Sequence, residues 1–152
     1  MYKWILLGHA IGGGTLFGAH VYLEGLMAQA NRSADTSTYM TVMLRATNAA
    51  DRLLGIASIV TVVFGVWLVV DTAYDWGDLF VTIGMSAWLL AFAVTLFLLN
   101  PRTREIKAAV AEGGIADEVA VTGMKSLVNI IHLQSLLVAV AFIVMVIKPG
   151  IL

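Results

Sequence analysis

Three histidines are the most chemically versatile side chains of this sequence, and each lies in a strongly apolar segment. His9 and His20 lie in the opening stretch, MYKWILLGHAIGGGTLFGAHVYLEGLM, and His132 lies in KSLVNIIHLQSLL. Imidazole is the commonest metal ligand in proteins and a usual axial ligand of haem. The sequence contains no cysteine, which excludes disulfides, thiolate metal sites and iron–sulfur clusters. Metal or redox chemistry in this chain would therefore centre on histidine.

The first apolar segment places its polar residues along one stripe of a helix. At about 100° per residue, His20 returns to within roughly 20° of the direction of His9. Gly13 and Glu24 follow at about 40° and about 60°. An ionisable side chain that faces lipid costs at least a few kcal/mol. We therefore expect the stripe of His9, Gly13, His20 and Glu24 to face protein.

The last apolar segment has a matching polar face. Lys125, Asn129 and His132 are spaced i, i+4 and i+7, which places them on one side of a helix. Gln134 lies on roughly the opposite side, where we expect it to bond another helix or to lie near the membrane interface.

Depth along the helices decides which histidines can meet. With a rise of about 1.5 Å per residue, His20 lies about 25 Å from Lys3 and His132 about 24 Å from Lys148. His9 lies only about 9 Å from Lys3. We therefore expect His20 and His132 to lie at one depth, and His9 and His132 not to share a metal. Met85 of the third segment is expected at the level of His9.

Two histidines at one depth on different helices suit the axial positions of a b-type haem. Gly13 would leave room for the ring, and basic residues would meet the propionates. The predicted metal ligands are His20 with His132, and, as a separate hypothesis, His9. The predicted basic partners are Arg45, Arg52 and Lys125. The alternative is that the histidines make interhelical hydrogen bonds, for which Asn129, Thr15 and Glu24 are the available partners.

Composition indicates what must position these residues. The chain has 152 residues, of which 60% are hydrophobic and 12% charged, and its mean hydropathy is +0.91. A soluble domain carries about twice that charge. The net charge is −1, so the sequence has no electrostatic footprint for nucleic acid. These values predict a single integral membrane domain over residues 1–152.

Four apolar runs are long enough to span a bilayer, which needs about 20 residues each. They are Trp4–Met27, Leu53–Val70, Leu79–Leu99 and Leu127–Ile147. Because lipid tolerates no open strand edge, the expected fold is all-α, a membrane-spanning four-helix bundle. The first run is too long for the apolar part of a cleaved signal peptide, so we expect it to be a span.

The loops carry helix signals of their own. Asp35 or Ser37 is a candidate helix cap before Tyr39 and Met43, which recur at helical spacing. We expect either a short amphipathic helix here or an extension of the second span. After Pro101 we expect a further polar helix that ends at the glycine pair 113–114.

Basic residues predict the orientation in the membrane. The first and third loops hold seven of them and the two termini hold two. The seven are Arg32, Arg45, Arg52, Arg102, Arg104, Lys107 and Lys125. The positive-inside rule places these loops in the cytoplasm and both termini on the non-cytoplasmic side. We therefore expect a multi-pass protein of the cell (inner) membrane.

Glycines in the first segment form two small-xxx-small pairs, Gly8 with Gly12 and Gly14 with Gly18. Such pairs let a neighbouring helix backbone, or a flat ligand, approach closely.

The first two apolar segments resemble the CopD-like and HemJ-like superfamily of membrane proteins, most closely its uncharacterised branch. HAIGGGTLFGAHVYL matches the first helix of the HemJ-like pattern through His9, Gly12, Phe17 and Tyr22. DRLLGIASIVTVVFGVWLV is similar to the second helix, with Arg52-Leu53 at its entry and Gly65 in its middle. The resemblance covers roughly the first 100 residues.

The resemblance implies a role for one histidine only. In HemJ-like proteins the histidine at the position of His9 is tied to haem and to activity. The third helix of that group carries a functional lysine, which this sequence lacks, so protoporphyrinogen oxidation is not implied. Copper transport, as in CopD-like proteins, is not favoured either, because the seven methionines are scattered without a repeated Met-x-x-Met pattern.

Two functions are therefore expected. The first is a haem-b-binding redox protein of the membrane, a carrier or an oxidoreductase. The second is an accessory subunit without a cofactor, which packs in the bilayer against other membrane subunits or a second copy. No nucleophile–base pair, phosphate loop or metalloprotease motif occurs, so the sequence leaves open whether the chain is an enzyme.

Overall fold

The computed structural model is all-helical over the residues that it describes, 1–32, 35–72 and 74–148, without the side chains of 49–51. Its helices are α1 (Tyr2–Ala30), α2 (Thr36–Asp71), α3 (Leu79–Val94), α4 (Asn100–Gly113) and α5 (Glu118–Ile147). A π-helical turn, Thr95–Leu99, joins α3 to α4, so these two form one continuous helical rod. Four helical rods therefore build the bundle, as the sequence predicts.

The second rod begins well before its apolar part. The Asp35 side chain caps it by accepting hydrogen bonds from the backbone N–H of Ser37, at 3.2 Å, and of Thr38, at 3.0 Å. The hydroxyls of Thr38 and Ser37 also donate to this carboxylate, and these four bonds hold the pKa of Asp35 well below its usual range. Of the two alternatives for this loop, the extension of the second span is the one observed. Tyr39 and Met43 are buried along it.

The third rod differs from the expectation of a separate helix after Pro101. Asn100 donates its N–H to the carbonyl of Thr95, five residues back, so the chain widens by one residue instead of breaking. Pro101 stands just after this turn, within the first two positions of α4. The predicted end of this helix is confirmed, because Gly114 follows it with φ +84°.

Three rods are long and apolar enough to cross a membrane: α2, Leu79–Gly113 and α5. That count is over the described residues. α1, with 29 residues, is nearly as long as α5, but six glycines and two histidines lower its mean hydropathy. The fourth span at α1 and the sidedness of the termini therefore stay predictions.

Helix packing follows the glycines of α1. A Cβ at Gly8 would lie 2.8 Å from the ring of Phe64, and one at Gly12 would lie 2.9 Å from the backbone N of Thr61. This pair therefore lets α1 lie directly along α2. The second pair behaves differently, since a Cβ at Gly14 or Gly18 would meet nothing within 4 Å.

α5 packs against α1, α3 and α4, and two apolar clusters fill the bundle. We call the end with the first and third loops the basic end, and the end near Met1 and Lys148 the terminal end. The larger cluster lies at the basic end and gathers four methionines from three different helices, Met27, Met40, Met43 and Met124. The smaller cluster lies in the middle, around Leu16, Ala57, Ala91 and Val138.

Candidate functional site

The polar stripe of α1 faces protein, as predicted. His20 is only 2% exposed, and its Nδ1 lies 3.3 Å from the hydroxyl oxygen of Ser135 on α5. Glu24 and His132 form the next contact between these helices, with 2.7 Å between Oε2 and Nδ1. The interhelical alternative therefore describes His132 correctly, because Glu24 is its partner.

The predicted match in depth between His20 and His132 is confirmed to within about one helical turn, since Ser135 and His132 are three residues apart. Two atoms of this contact lack a hydrogen-bond partner among the described residues, His20 Nε2 and Glu24 Oε1. Both atoms are sealed by the surrounding protein. A haem between His20 and His132 would therefore require α1 and α5 to move apart, and this ligand pair stays a prediction.

The predicted basic partners lie outside the bundle interior. Arg45 and Arg52 on α2 and Lys125 on α5 are all exposed. None of the three lines the cavity described next.

A cavity of about 420 Å³ lies towards the terminal end of the bundle. Its volume falls in the range of about 300–1,000 Å³ that is typical of small-molecule sites. Side chains from α1, α2, α3 and α5 form its walls, and they are mostly apolar. We call it the central cavity. Its lining includes His9, Gly13, Gly14, Thr61, Gly65, Tyr74, Met85, Trp88, Met145 and Lys148. Leu16 and Val138 of the middle cluster line it as well, and His20 does not.

His9 is held in this cavity in one orientation. Its Nδ1 lies 2.8 Å from the carbonyl oxygen of Thr61. Because a carbonyl only accepts, Nδ1 carries the hydrogen of this contact, and among the described residues Nε2 has no hydrogen-bond partner. Gly65 makes room for the ring, since a Cβ there would lie 3.0 Å from His9 Cε1. A backbone carbonyl on one ring nitrogen is the usual arrangement behind a histidine that ligates through the other.

The model of one protein family matches residues 3–149, nearly the whole chain. The chain belongs to the DUF2269 family of predicted integral membrane proteins. Neither the curated proteins nor the solved structures give a match. The DUF2269 description agrees with the membrane class inferred from composition. It is silent on the CopD-like and HemJ-like resemblance, which stays a prediction.

Methionine sulfur is available in the same cavity of this DUF2269 protein. Met85 lines it together with His9. That the two lie at one level stays a prediction, because the lining extends from Leu6 to Leu16 along α1. Met145 lines it as well and packs against Gly84, where a Cβ would collide with its side chain. Trp88 closes the gap between α3 and α2 by donating its Nε1–H to the hydroxyl of Ser58, at 2.9 Å.

The mouth of the cavity in the DUF2269 protein carries a cation that the sequence did not single out as a site residue. Lys148 donates to the hydroxyl of Tyr74 at 2.7 Å, and its Nζ lies 4.8 Å from the centre of that ring. The hydrogen bond from Lys148 is the main reason why the pKa of Tyr74 is lowered. Nothing in the sequence near Lys148 indicates that its side chain turns towards the bundle.

No group of three or more histidines and carboxylates in the described part of the DUF2269 chain is arranged to hold a bare metal ion. An axial ligand of haem is a different requirement, because the porphyrin supplies the other nitrogens. For that requirement His9 is the histidine with both a free ring nitrogen and a cavity beside it.

Proposed function

We propose that this DUF2269 protein binds a b-type haem in the central cavity, with Nε2 of His9 as an axial ligand, and acts as a membrane redox protein. The observation that carries the proposal is the orientation of His9, whose Nδ1 is bonded to the Thr61 carbonyl at 2.8 Å at the wall of the cavity. When bound, haem supplies one-electron chemistry.

The lining of the cavity supports a flat apolar cofactor. Gly13 and Gly14 leave their side of α1 open, since a Cβ at Gly14 would meet nothing within 4 Å and one at Gly13 only a methyl carbon of Thr61, at 3.9 Å. Met85 and Met145 line the same cavity and would offer thioether sulfurs to the iron of a bound haem. A histidine–methionine pair raises the reduction potential of haem.

The pair of His20 and His132 is the competing assignment of the ligands, and it makes a different prediction. If that pair holds the iron, His9→Ala spares the spectrum and His20→Ala or His132→Ala changes it. If His9 holds the iron, the pattern is reversed. The three variants remove one imidazole each from the same chain, so they are matched controls for one another.

The test is the visible spectrum of the detergent-purified protein, oxidised and reduced. We expect a Soret band with sharp α and β bands on reduction, lost in His9→Gly and restored when imidazole is added to that variant. Restoration separates loss of the ligand from misfolding. A wild-type protein that takes up no haem would refute the proposal and favour the accessory-subunit function.

A further inference from the structure

Lys148 is the only lysine or arginine among the described residues that line the central cavity. It follows α5 in the left-handed conformation, with φ 48°, and its backbone N–H donates to the Val144 carbonyl. The side chain lies against Tyr74 and Phe80, with Nζ 4.8 Å and 5.7 Å from their ring centres. The two aromatic rings therefore hold an ammonium group at the edge of an apolar space.

This ammonium has no carboxylate partner within 4 Å among the described residues. The ion pairs there join Arg102 to Glu105 and His132 to Glu24, both away from the cavity. Asp78 is close enough to act electrostatically on Tyr74, but it forms no ion pair with Lys148 within 4 Å, and its Oδ2 accepts a hydrogen bond from the N–H of Asp75 at 2.9 Å. Among the described residues, the hydrogen-bond partner of the Lys148 ammonium is therefore a phenol hydroxyl and not a carboxylate. The carbonyls at the end of α5 attract the cation only weakly.

We propose that the central cavity is a binding site for an apolar molecule that carries a carboxylate, with the acid group on Lys148 and the apolar body along Gly13, Gly14 and Met85. The inference deepens the proposed function, because the two propionates of haem b are such carboxylates. It also stands apart from it, because a fatty acid has the same chemistry without iron. The opposing view is that Lys148 merely reaches towards the membrane interface along aromatic rings.

The experiment compares each acid with its neutral ester, so that the apolar body is unchanged. The probes are haem and haem dimethyl ester, followed by their absorbance, and cis-parinaric acid and its methyl ester, followed by their fluorescence. Each is titrated into wild-type protein in a neutral detergent. Hydrogen bonds to a charged group are stronger than those between neutral groups. For whichever pair binds, we therefore expect about 10-fold tighter binding of the acid than of its ester.

The variants are Lys148→Gln, which removes the charge, and Lys148→Arg, which keeps it. Lys3→Gln is the matched control, because Lys3 is an exposed lysine at the same end of the bundle and does not line the cavity. We expect Lys148→Gln to lose the preference for the acid while still binding the ester. Retained ester binding shows that the cavity is folded. Lys148→Arg and Lys3→Gln should keep the preference.

The outcomes separate this inference from the proposed function. Parinaric acid bound with a Lys148-dependent preference, together with no binding of haem, would support the inference and overturn the haem proposal. If haem binds through His9, and haem and its dimethyl ester bind with equal affinity, the haem proposal is supported and the inference about Lys148 is overturned. An unchanged preference in Lys148→Gln overturns the inference, and so does a wild-type protein that binds none of the four probes.

Discussion

The contact between Gly65 and His9 allows a sharp test of how the cavity is built. A methyl group there would crowd the ring, because a Cβ at Gly65 would lie 3.0 Å from Cε1 and 3.1 Å from Nδ1 of His9, so that the ring must shift by a few tenths of an ångström. Gly65→Ala should therefore displace the ring and stretch the bond from Nδ1 to the Thr61 carbonyl. The substitution adds one methyl group and leaves the side chains of His9 and Thr61 themselves unchanged.

Once the His9 ring has moved aside and relieved the close contact, two opposing energies determine the effect of Gly65→Ala on stability. Alanine is better than glycine inside a helix by about 1 kcal/mol. Loss of one neutral hydrogen bond costs about 0.5–1.5 kcal/mol. The free energy of unfolding should therefore change by less than about 1 kcal/mol in either direction, as the difference of these two values. The orientation of His9 should change far more, because about 1 kcal/mol shifts the population of the bonded ring by a factor of about five.

Nitrogen NMR of histidine-labelled protein measures that orientation directly, since the chain has only three histidines. In wild-type protein we expect the His9 signal of a neutral ring with its hydrogen on Nδ1. In Gly65→Ala we expect a mixture of the two neutral forms and weaker haem binding. Gly55→Ala is the matched control, because it lies on the same helix and its Cβ would meet nothing within 4 Å.

Gly55→Ala should gain the helix propensity and leave His9 unchanged. If Gly65→Ala and Gly55→Ala give the same His9 spectrum, the ring is not held by this contact and the reasoning fails. If Gly65→Ala unfolds the protein outright, the balance of the two energies is wrong.

Three further predictions concern two helix contacts and the orientation of the chain in the membrane. Gly12→Ala should weaken the α1–α2 contact by about 1–3 kcal/mol, because its Cβ would lie within 3 Å of the α2 backbone and overpack the interface. Gly18→Ala should have no such effect, because its Cβ would meet nothing within 4 Å. Unfolding in mixed micelles measures both variants, and equal effects would contradict the prediction. The Glu24–His132 contact should show a coupling of about 0.6 kcal/mol in a double-mutant cycle to alanine, and strict additivity would rule it out. Single cysteines at the exposed positions Asn31 and Glu112 should resist an impermeant thiol reagent in intact cells while one at Asp75 reacts, and the opposite pattern would invert the predicted topology.

Several features of the fold follow from the sequence because they depend on local chemistry. Asp35 caps α2 and Gly114 ends α4 through bonds and angles within a few residues. The helical period and the cost of a polar group in lipid were enough to predict that His20 faces the interior of the bundle. The continuity of α3 and α4 escaped prediction, because a π turn that absorbs Pro101 depends on how the whole rod packs.

The site shows the other side of this division. Sequence alone identified the three histidines as candidate metal ligands and predicted that His20 and His132 lie near one depth. Only the tertiary structure decided which histidine has space beside it. His20 is sealed by α5, whereas His9 faces a cavity because Gly65, on a different helix, has no side chain. Lys148 likewise joins that cavity through contacts with Tyr74, 74 residues away in the chain. The physical reason is that depth along a helix is a local property, whereas free volume is set by the side chains of all the helices around it.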